Sequence, residues 1–432
     1  MSLVLKRPFS NAVTFTSLNK PLSQSPAVGH MQPSKTCKLK VPLLKSPSHL
    51  GHYTSRVNRM YNEDRYSACV LDLPGKTVFN FNIFDGHGGE QCLSFLLSKL
   101  GQVVEDSTQL TEDPEKRDAL VKNYGRDIGG YWRRWYKHRE ANFKKMQLAT
   151  PQITSLTNLP DLKDDLMLRL PMAFLEADYQ FFHEEDNQLG STCTSLYLET
   201  VYAELPGEFK PVYEDYFFNR KTISKLTVAH VGDTKAILVD KTGEAHPLTI
   251  SHHPSNPMEA SRLRKYLAQY FMADSFGEER FISLANTRAF GDLNFKEMGV
   301  TAEPDVSQYI IGDKATIGKM LTPEEIRTST IAGMGGDESF LLLCTDGVTN
   351  ELTDQEIADI VMVNFNNHGH LKASPQFCAQ QVIKFVEYIG GDDNATCLVV
   401  RLNGWGKWPI MDRTGDLRLE RLNDYSPRDR RD

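Results

Sequence analysis

The first 62 residues contain no aspartate or glutamate, although nine lysines and arginines fall among them. The first acidic residue is Glu63, and the rest of the chain carries 40 basic against 56 acidic residues, a net of −16 within an overall charge of −7. An acid-free, Ser/Thr-rich start suits a mitochondrial presequence, and a basic tail without targeting role is the alternative. No run of five or more Lys or Arg occurs, which argues against a nuclear or nucleic-acid-binding tail. No stretch approaches the roughly 18 apolar residues of a membrane span. The seven cysteines (37, 69, 92, 193, 344, 378 and 397) include no CxxC pair, so neither a disulfide framework nor a zinc site is expected, and the thiols suit a reducing, intracellular compartment. No internal repeat is present.

What remains is a chain of 432 residues, 40% hydrophobic and 24% charged, with ample material for a core. Residues 1–50 are Pro/Ser/Lys-rich and read as targeting segment and linker. From 51 to 402 the pattern alternates. Helices are expected at 90–100, 171–185, 355–365 and 375–389, and strands at 66–73, 192–202, 226–231, 235–240, 282–286 and 396–402. Gly232-Asp233-Thr234 reads as the turn of a hairpin. Strands in runs with helices grouped between them predict an α/β (α+β) fold of mainly antiparallel sheet. Residues 102–165, 203–224 and 313–335 read as irregular insertions, and the charged tail 403–432 as disordered after Trp408.

Two apolar runs each end in aspartate and glycine: Phe79–Phe84 before Asp85-Gly86-His87-Gly88-Gly89, and Leu341–Thr345 before Asp346-Gly347. A buried strand ending in a carboxylate delivers a hard oxygen ligand to the rim of a rigid sheet. Gly86, lacking a Cβ, can turn its carbonyl toward a ligand. Glu63-Asp64 and Asp392-Asp393-Asn394 flank two more strands. An Asp-Gly pair alone is an ordinary turn, but four carboxylate-bearing strand edges without cysteine or histidine clustering favour Mg²⁺ or Mn²⁺ over zinc.

The ordered series Arg59–Asp64, Asp85–Gly89, Gly190-Ser-Thr192, Val231–Thr234, Leu248–Pro254, Arg288–Asp292, Glu303–Val306, Thr345–Gly347 and Asp393-Asn394 resembles the metal-dependent type 2C serine/threonine protein phosphatases, over residues 51–402. The resemblance implies two antiparallel β-sheets packed as a sandwich, helices outside, and a two-ion Mn²⁺/Mg²⁺ centre in a cleft at one end. It assigns Asp85 to both ions and the Gly86 carbonyl to one. Asp346 and Asp393 go to the other, and Glu63 and Asp64 to water-mediated contacts. Arg59 would hold the phosphate with its planar fork, and His87 would protonate the leaving seryl or threonyl oxygen.

Two positions depart from many relatives. Ser251-His-His-Pro stands where they have Asp-His-Lys-Pro, and Asn350 where an aspartate is frequent. Both would help hold a third ion, so its binding is expected to be weak. His252 and His253 read as structural hydrogen-bonding residues. Residues 255–290 fall where the family carries a variable flap, and Met258, Arg262, Arg264, Tyr266, Tyr270 and Phe271 suit a small helical lid. Tyr131–Arg139 places aromatics on one helical face and cations on another, either packed on the body or as a docking surface for an acidic phosphoprotein or membrane. The partner expected is a phosphoprotein and not a nucleic acid. The whole looks like fungal mitochondrial members of the family, which points to the mitochondrial matrix and the pyruvate dehydrogenase complex. The chain is expected to act as a monomer. A pseudophosphatase or phosphoprotein-binding scaffold is the alternative, although it would be expected to lack one of Asp85, Asp346 or Asp393.

Overall fold

The computed structural model describes residues 12–18, 36–73, 76–107, 113–129, 166–184, 189–203, 216–219, 221–267, 271–273 and 279–424. Strands β1 (Ala12–Leu18) and β2 (Thr36–Pro42) form a two-stranded antiparallel sheet. Next come β3 (Leu50–Ser55), β4 (Asp64–Leu73) and β5 (Lys76–His87). After three described helices follow β6 (Gly190–Ser191), β7 (Cys193–Ala203), β8 (Thr222–Val231), β9 (Lys235–Val239) and β10 (Ala245–Pro247). The short β11 (Phe271–Ala273) and β12 (Glu279–Phe281) pair with each other, and β13 (Phe290–Gly291), β14 (Asp305–Gly312), β15 (Phe340–Cys344) and β16 (Ala395–Arg401) complete the set.

These strands build two main antiparallel sheets. One has the order β13-β6-β5-β7-β8-β14 with β4 added on β5, the other β10-β9-β15-β16-β3. The strand pleat explains why they stack, since alternate residues point to opposite faces. On β5, Phe79, Phe81 and Ile83 join Leu341 and Leu343 of β15 and Leu398 and Val400 of β16 in the core between the sheets. Their alternates face outward under helices. Val78 and Phe84 lie beneath the helices Gln91–Asp106 and Leu166–Phe182, while Phe340, Leu342, Cys397 and Val399 lie beneath Asp354–His368 and Pro375–Ile389. The result is four layers, helix–sheet–sheet–helix, as expected from the resemblance.

Several expectations need correction. Gly232-Asp233-Thr234 is not a hairpin turn, because β8 belongs to the first sheet and β9 to the second. The turn carries the chain across the sandwich, and local turn chemistry is the same for either destination. Residues 282–286 are not a strand: Ile282 has φ 62°, and the segment turns back through an isolated bridge between Phe281 and Leu284. Residues 313–335 are not irregular. They form helices Lys314–Met320 and Pro323–Ser329, the first capped by Asp313 and the second by a reciprocal Thr322–Glu325 capping box.

The helix expected at 171–185 begins five residues earlier, at Leu166. Arg169, fully buried, donates to the carbonyls of Val104 and Glu105, so tertiary contacts carry the helix past Pro171. In the 102–165 insertion the first helix continues to Asp106, and Pro114–Asp127 adds a further helix that packs Tyr124 on Leu175. The basic aromatic segment 131–139 lies outside the described residues. Nor are the described residues after Trp408, to 424, loose. Trp405 and Trp408 are buried against Phe340 and Phe365, and helix Gly415–Asp424 is tied down by Arg421 to Glu356. At the other end Leu43 is already in the core, ahead of the expected start of the body at 51.

Candidate active site

The carboxylates converge where the two sheets end. Asp85 closes β5, Asp64 opens β4 directly opposite it in register, Asp346 follows β15, Asp393 precedes β16, and Asp233 sits in the crossover between sheets. A cleft of about 540 Å³ is lined by Arg59, Glu63, Asp85, Gly86, His87, Asp233, Asp346 and Asp393, with Ser283–Asn286 and Asp292 on its walls. Asp64 lies beneath the lining, where its Oδ2 accepts hydrogen bonds from Thr345 Oγ1 (2.8 Å) and Thr396 Oγ1 (2.7 Å). The glycines are packing requirements here. A Cβ on Gly86 would lie 2.4 Å from Leu93, and one on Gly347 would lie 2.1 Å from the Asn394 carbonyl oxygen.

So many acids in one place leave an electrostatic debt. Burial, and then the neighbouring Asp346, Asp64 and Asp233, push the Asp85 carboxyl well above the ordinary range. Burial raises Asp64 to about 7, with Asp346 and Asp393 adding to it against the two threonine hydrogen bonds. Burial and Asp346 likewise raise Asp233 to about 7. Buried acids that repel one another favour protonation unless a cation neutralises them. Three buried oxygens at this end of the sandwich also lack a hydrogen-bond partner: Asp64 Oδ1, Asp233 Oδ1 and Asn286 Oδ1. An all-oxygen donor set with unmet negative charge fits Mn²⁺ or Mg²⁺, the hard cations on which this kind of site depends.

The other functional side chains are held in place at the rim. Arg59 Nη2 donates to Asp393 Oδ2 at 2.8 Å, fixing the guanidinium at the cleft mouth. Asn394 secures the loop beneath it: its Oδ1 accepts the Glu63 amide, and its Nδ2 donates to the Tyr61 carbonyl. His87 Nε2 meets Asp292 at 2.8 and 3.0 Å. Desolvation opposes charging this imidazole, but the Asp292 carboxylate outweighs it and the pKa is raised. Asp292 reaches that position from a left-handed backbone (φ 51°), and Gly190 leaves the room, since a Cβ there would lie 2.3 Å from His87 Nε2.

Arg59, Glu63, Asp85, Gly86, His87, Asp346 and Asp393 are thus brought to one cleft. Of the two altered positions, Asn350 donates from Nδ2 to Asp346 Oδ2 (3.3 Å), while Ser251 is exposed and not among the lining residues. His252 is structural, as expected: its Nδ1 accepts the Gly232 amide and its Nε2 pairs with Asp305. Sequence reasoning missed Asp233, Asn286 and Asp292 as site residues. Asp233 and Asp292 each follow a glycine in the ordered series and could have been found there; nothing local marks Asn286. A second acidic group, Asp240, Glu244 and His246, closes the turn from β9 to β10, where Asp240 Oδ1 already accepts hydrogen bonds from Thr242 and Glu244.

Comparison with known proteins agrees with this geometry. The protein phosphatase 2C family model matches residues 126–317 and 325–395. Protein phosphatase 2C homolog 4 of Schizosaccharomyces pombe is 33% identical over 410 residues, covering 93% of this chain and 92% of that protein. Protein phosphatase 1K, mitochondrial, of Xenopus laevis is 33% identical over 184 residues, 42% of this chain and 41% of that protein. Among solved structures, a phosphatase from Toxoplasma gondii aligns with TM-score 0.50 at 19% identity, over 82% of this chain and 92% of that one. A sex-determining protein of C. elegans aligns with TM-score 0.51 at 17% identity; the match covers 82% of this chain but 64% of that longer one. These two likenesses concern the fold. With the family model matching more than half of its length, the chain belongs to the protein phosphatase 2C family of metal-dependent serine/threonine phosphatases.

Proposed function

We propose that this chain hydrolyses phosphoserine and phosphothreonine in proteins with two Mn²⁺ or Mg²⁺ ions held in the cleft. The observation that carries the reading is the convergence of Asp85, Asp233, Asp346 and Asp393 at one end of the sandwich, where Asp85 and Asp233 are buried beside other acids and Asp393 is paired with Arg59. Asp85 would serve both ions, the Gly86 carbonyl one, and Asp346 and Asp393 the other, with Glu63 and Asp64 acting through water. When bound, such a pair neutralises a phosphate dianion and lowers the pKa of a water.

The chain's own residues do the rest. Arg59 offers its remaining N–H donors to the phosphate oxygens while Nη2 stays on Asp393. His87 holds the proton destined for the leaving oxygen. With Nε2 engaged by Asp292, Nδ1 is the nitrogen free to release it. Asn350 and Ser251 in place of carboxylates weaken any third ion, and restoring aspartate at both should strengthen the response to millimolar Mn²⁺. The acid-free N-terminus and the likeness to a phosphatase named as mitochondrial support the mitochondrial matrix, with the pyruvate dehydrogenase complex as leading substrate. A reporter fused to residues 1–30 that stayed diffuse in the cytosol would count against that location.

The test is phosphate release from a phosphothreonine peptide by the full chain with Mn²⁺, Mg²⁺ or EDTA, beside Asp85→Asn. Metal-dependent turnover lost in the variant supports the reading; folded protein without turnover in any metal makes the chain a phosphoprotein-binding scaffold. His87→Gln should lower kcat most for poor leaving groups, and equal loss on aryl phosphates would remove the acid role.

A further inference from the structure

The flap enters the cleft through Ser283–Asn286, and Asn286 lines it together with Asp85, Asp233 and Asp346. Asn286 stands beside Asp233, close enough for its amide to oppose the rise in that carboxyl's pKa. Asn286 Oδ1 is buried without a hydrogen-bond partner, and so is Asp233 Oδ1. Two orphaned acceptors side by side cost free energy unless a donor or cation serves both.

Their backbones share one support. Thr287 donates from both N (2.9 Å) and Oγ1 (2.8 Å) to the His252 carbonyl. His252 in turn clasps Gly232, its N donating to the Gly232 carbonyl and its Nδ1 accepting the Gly232 amide. Asn286 and Asp233 are each one residue from this clasp, so their separation is set by a rigid element. Below it, Glu259 accepts from Thr287, Arg262 and Arg288, which anchors the base of the flap.

We propose that Asn286 is the flap's own donor to the cation centre: its Oδ1, with Asp233 Oδ1, binds a divalent cation and latches the flap to the acidic cluster. This rests on the metal-dependent reading above and goes beyond the residues assigned there. A neutral amide oxygen is a good ligand for Mn²⁺ or Mg²⁺ and adds no charge to a cluster already crowded with carboxylates. With a cation between the two side chains, the amide presents its oxygen to the ion. Because the flap wall lies beside the cleft, metal loading then orders the surface a phosphoprotein must cross.

The experiment titrates the full chain with Mn²⁺, following free ion by paramagnetic resonance, and reads hydrogen exchange of the flap with and without metal, for wild type, Asn286→Ala and Asn286→Asp. Asn286→Ala should weaken the weakest resolved class of site by about 10-fold or more and abolish metal-induced protection of the flap. Asn286→Asp, which keeps shape and adds charge, should tighten that class and keep the protection. Melting without metal checks that each variant is folded. A weakest site and flap protection unchanged in both variants would overturn the latch and leave the phosphatase reading intact, as would wild type with two tight sites and no weaker one. A folded wild type that binds no Mn²⁺ would overturn both.

Discussion

Two regions of this molecule bury carboxylates, and they treat them in opposite ways. At the base of the flap Glu259 is 2% exposed yet meets Arg262 at 2.7 Å and Arg288 at 2.6 Å, with Thr287 as a further donor. Burial alone would raise its pKa, but the two guanidinium groups hold it well below the usual carboxylate range. Asp305, whose side chain is exposed, is lowered in the same sense by His252 and Arg288. In the cleft, Asp64, Asp85 and Asp233 are buried beside other acids, and all are raised. Burial is common to both regions; the charge of the neighbours differs. Structural acids come with their cations in the chain, whereas the cleft's acids wait for cations from solution.

The largest break in this contrast comes from removing the paired acid. Glu259→Ala takes the shared carboxylate from two largely buried arginines and should cost about 3–5 kcal/mol, read by urea unfolding. A loss below 1 kcal/mol would mean the flap base is solvated. Next, saturating Mn²⁺ should stabilise the wild type by about 2.7 kcal/mol at 100-fold excess over Kd, and this gain should vanish in Asp85→Asn.

The pH response of the ion-free protein sharpens the comparison further. Asp64 and Asp233 have folded pKa values near 7, above the roughly 3.9 of an unfolded aspartate. The folded state therefore binds more protons in this window, and stability falls as pH rises from about 4 to 7. Unfolding of chelated protein at pH 5 and pH 7.5 should show the drop, and Mn²⁺ should shrink it. Glu338, buried and raised to about 7, adds to the same slope, so Glu338→Gln should flatten it in part without touching the metal response. Smallest of all, Arg327→Ala removes a fully exposed pair with Glu324 and should leave the melting temperature unchanged.

Much of this was legible from local pattern because the relevant interactions are local. The alternation of Phe79, Phe81 and Ile83 marks a strand buried on one side by another sheet, and the amphipathic pattern of 375–389 matches helix Pro375–Ile389, which Ser374 caps and Gly390 ends. The Thr322–Glu325 capping box is an equally local signal, inside a stretch whose Gly, Thr and Pro mask its helices. Other features have no local signature. Gly232-Asp233-Thr234 spells a turn whether it returns to its own sheet or crosses to the next. Pro171 reads as a helix start until Arg169 finds the carbonyls of Val104 and Glu105.

By itself the sequence determined the class of chemistry: carboxylates at strand ends, in the order of a metal-dependent phosphatase, with scattered cysteines and none of the CxxC pairing a zinc site would use. Tertiary structure alone decided which oxygens share the cleft. Asp233 and Asn286 are 53 positions apart in the chain and adjacent in space, because one clasp at His252 holds both of their backbones. Charge and hydrogen bonding act through a few ångströms of space, and that distance is set by packing.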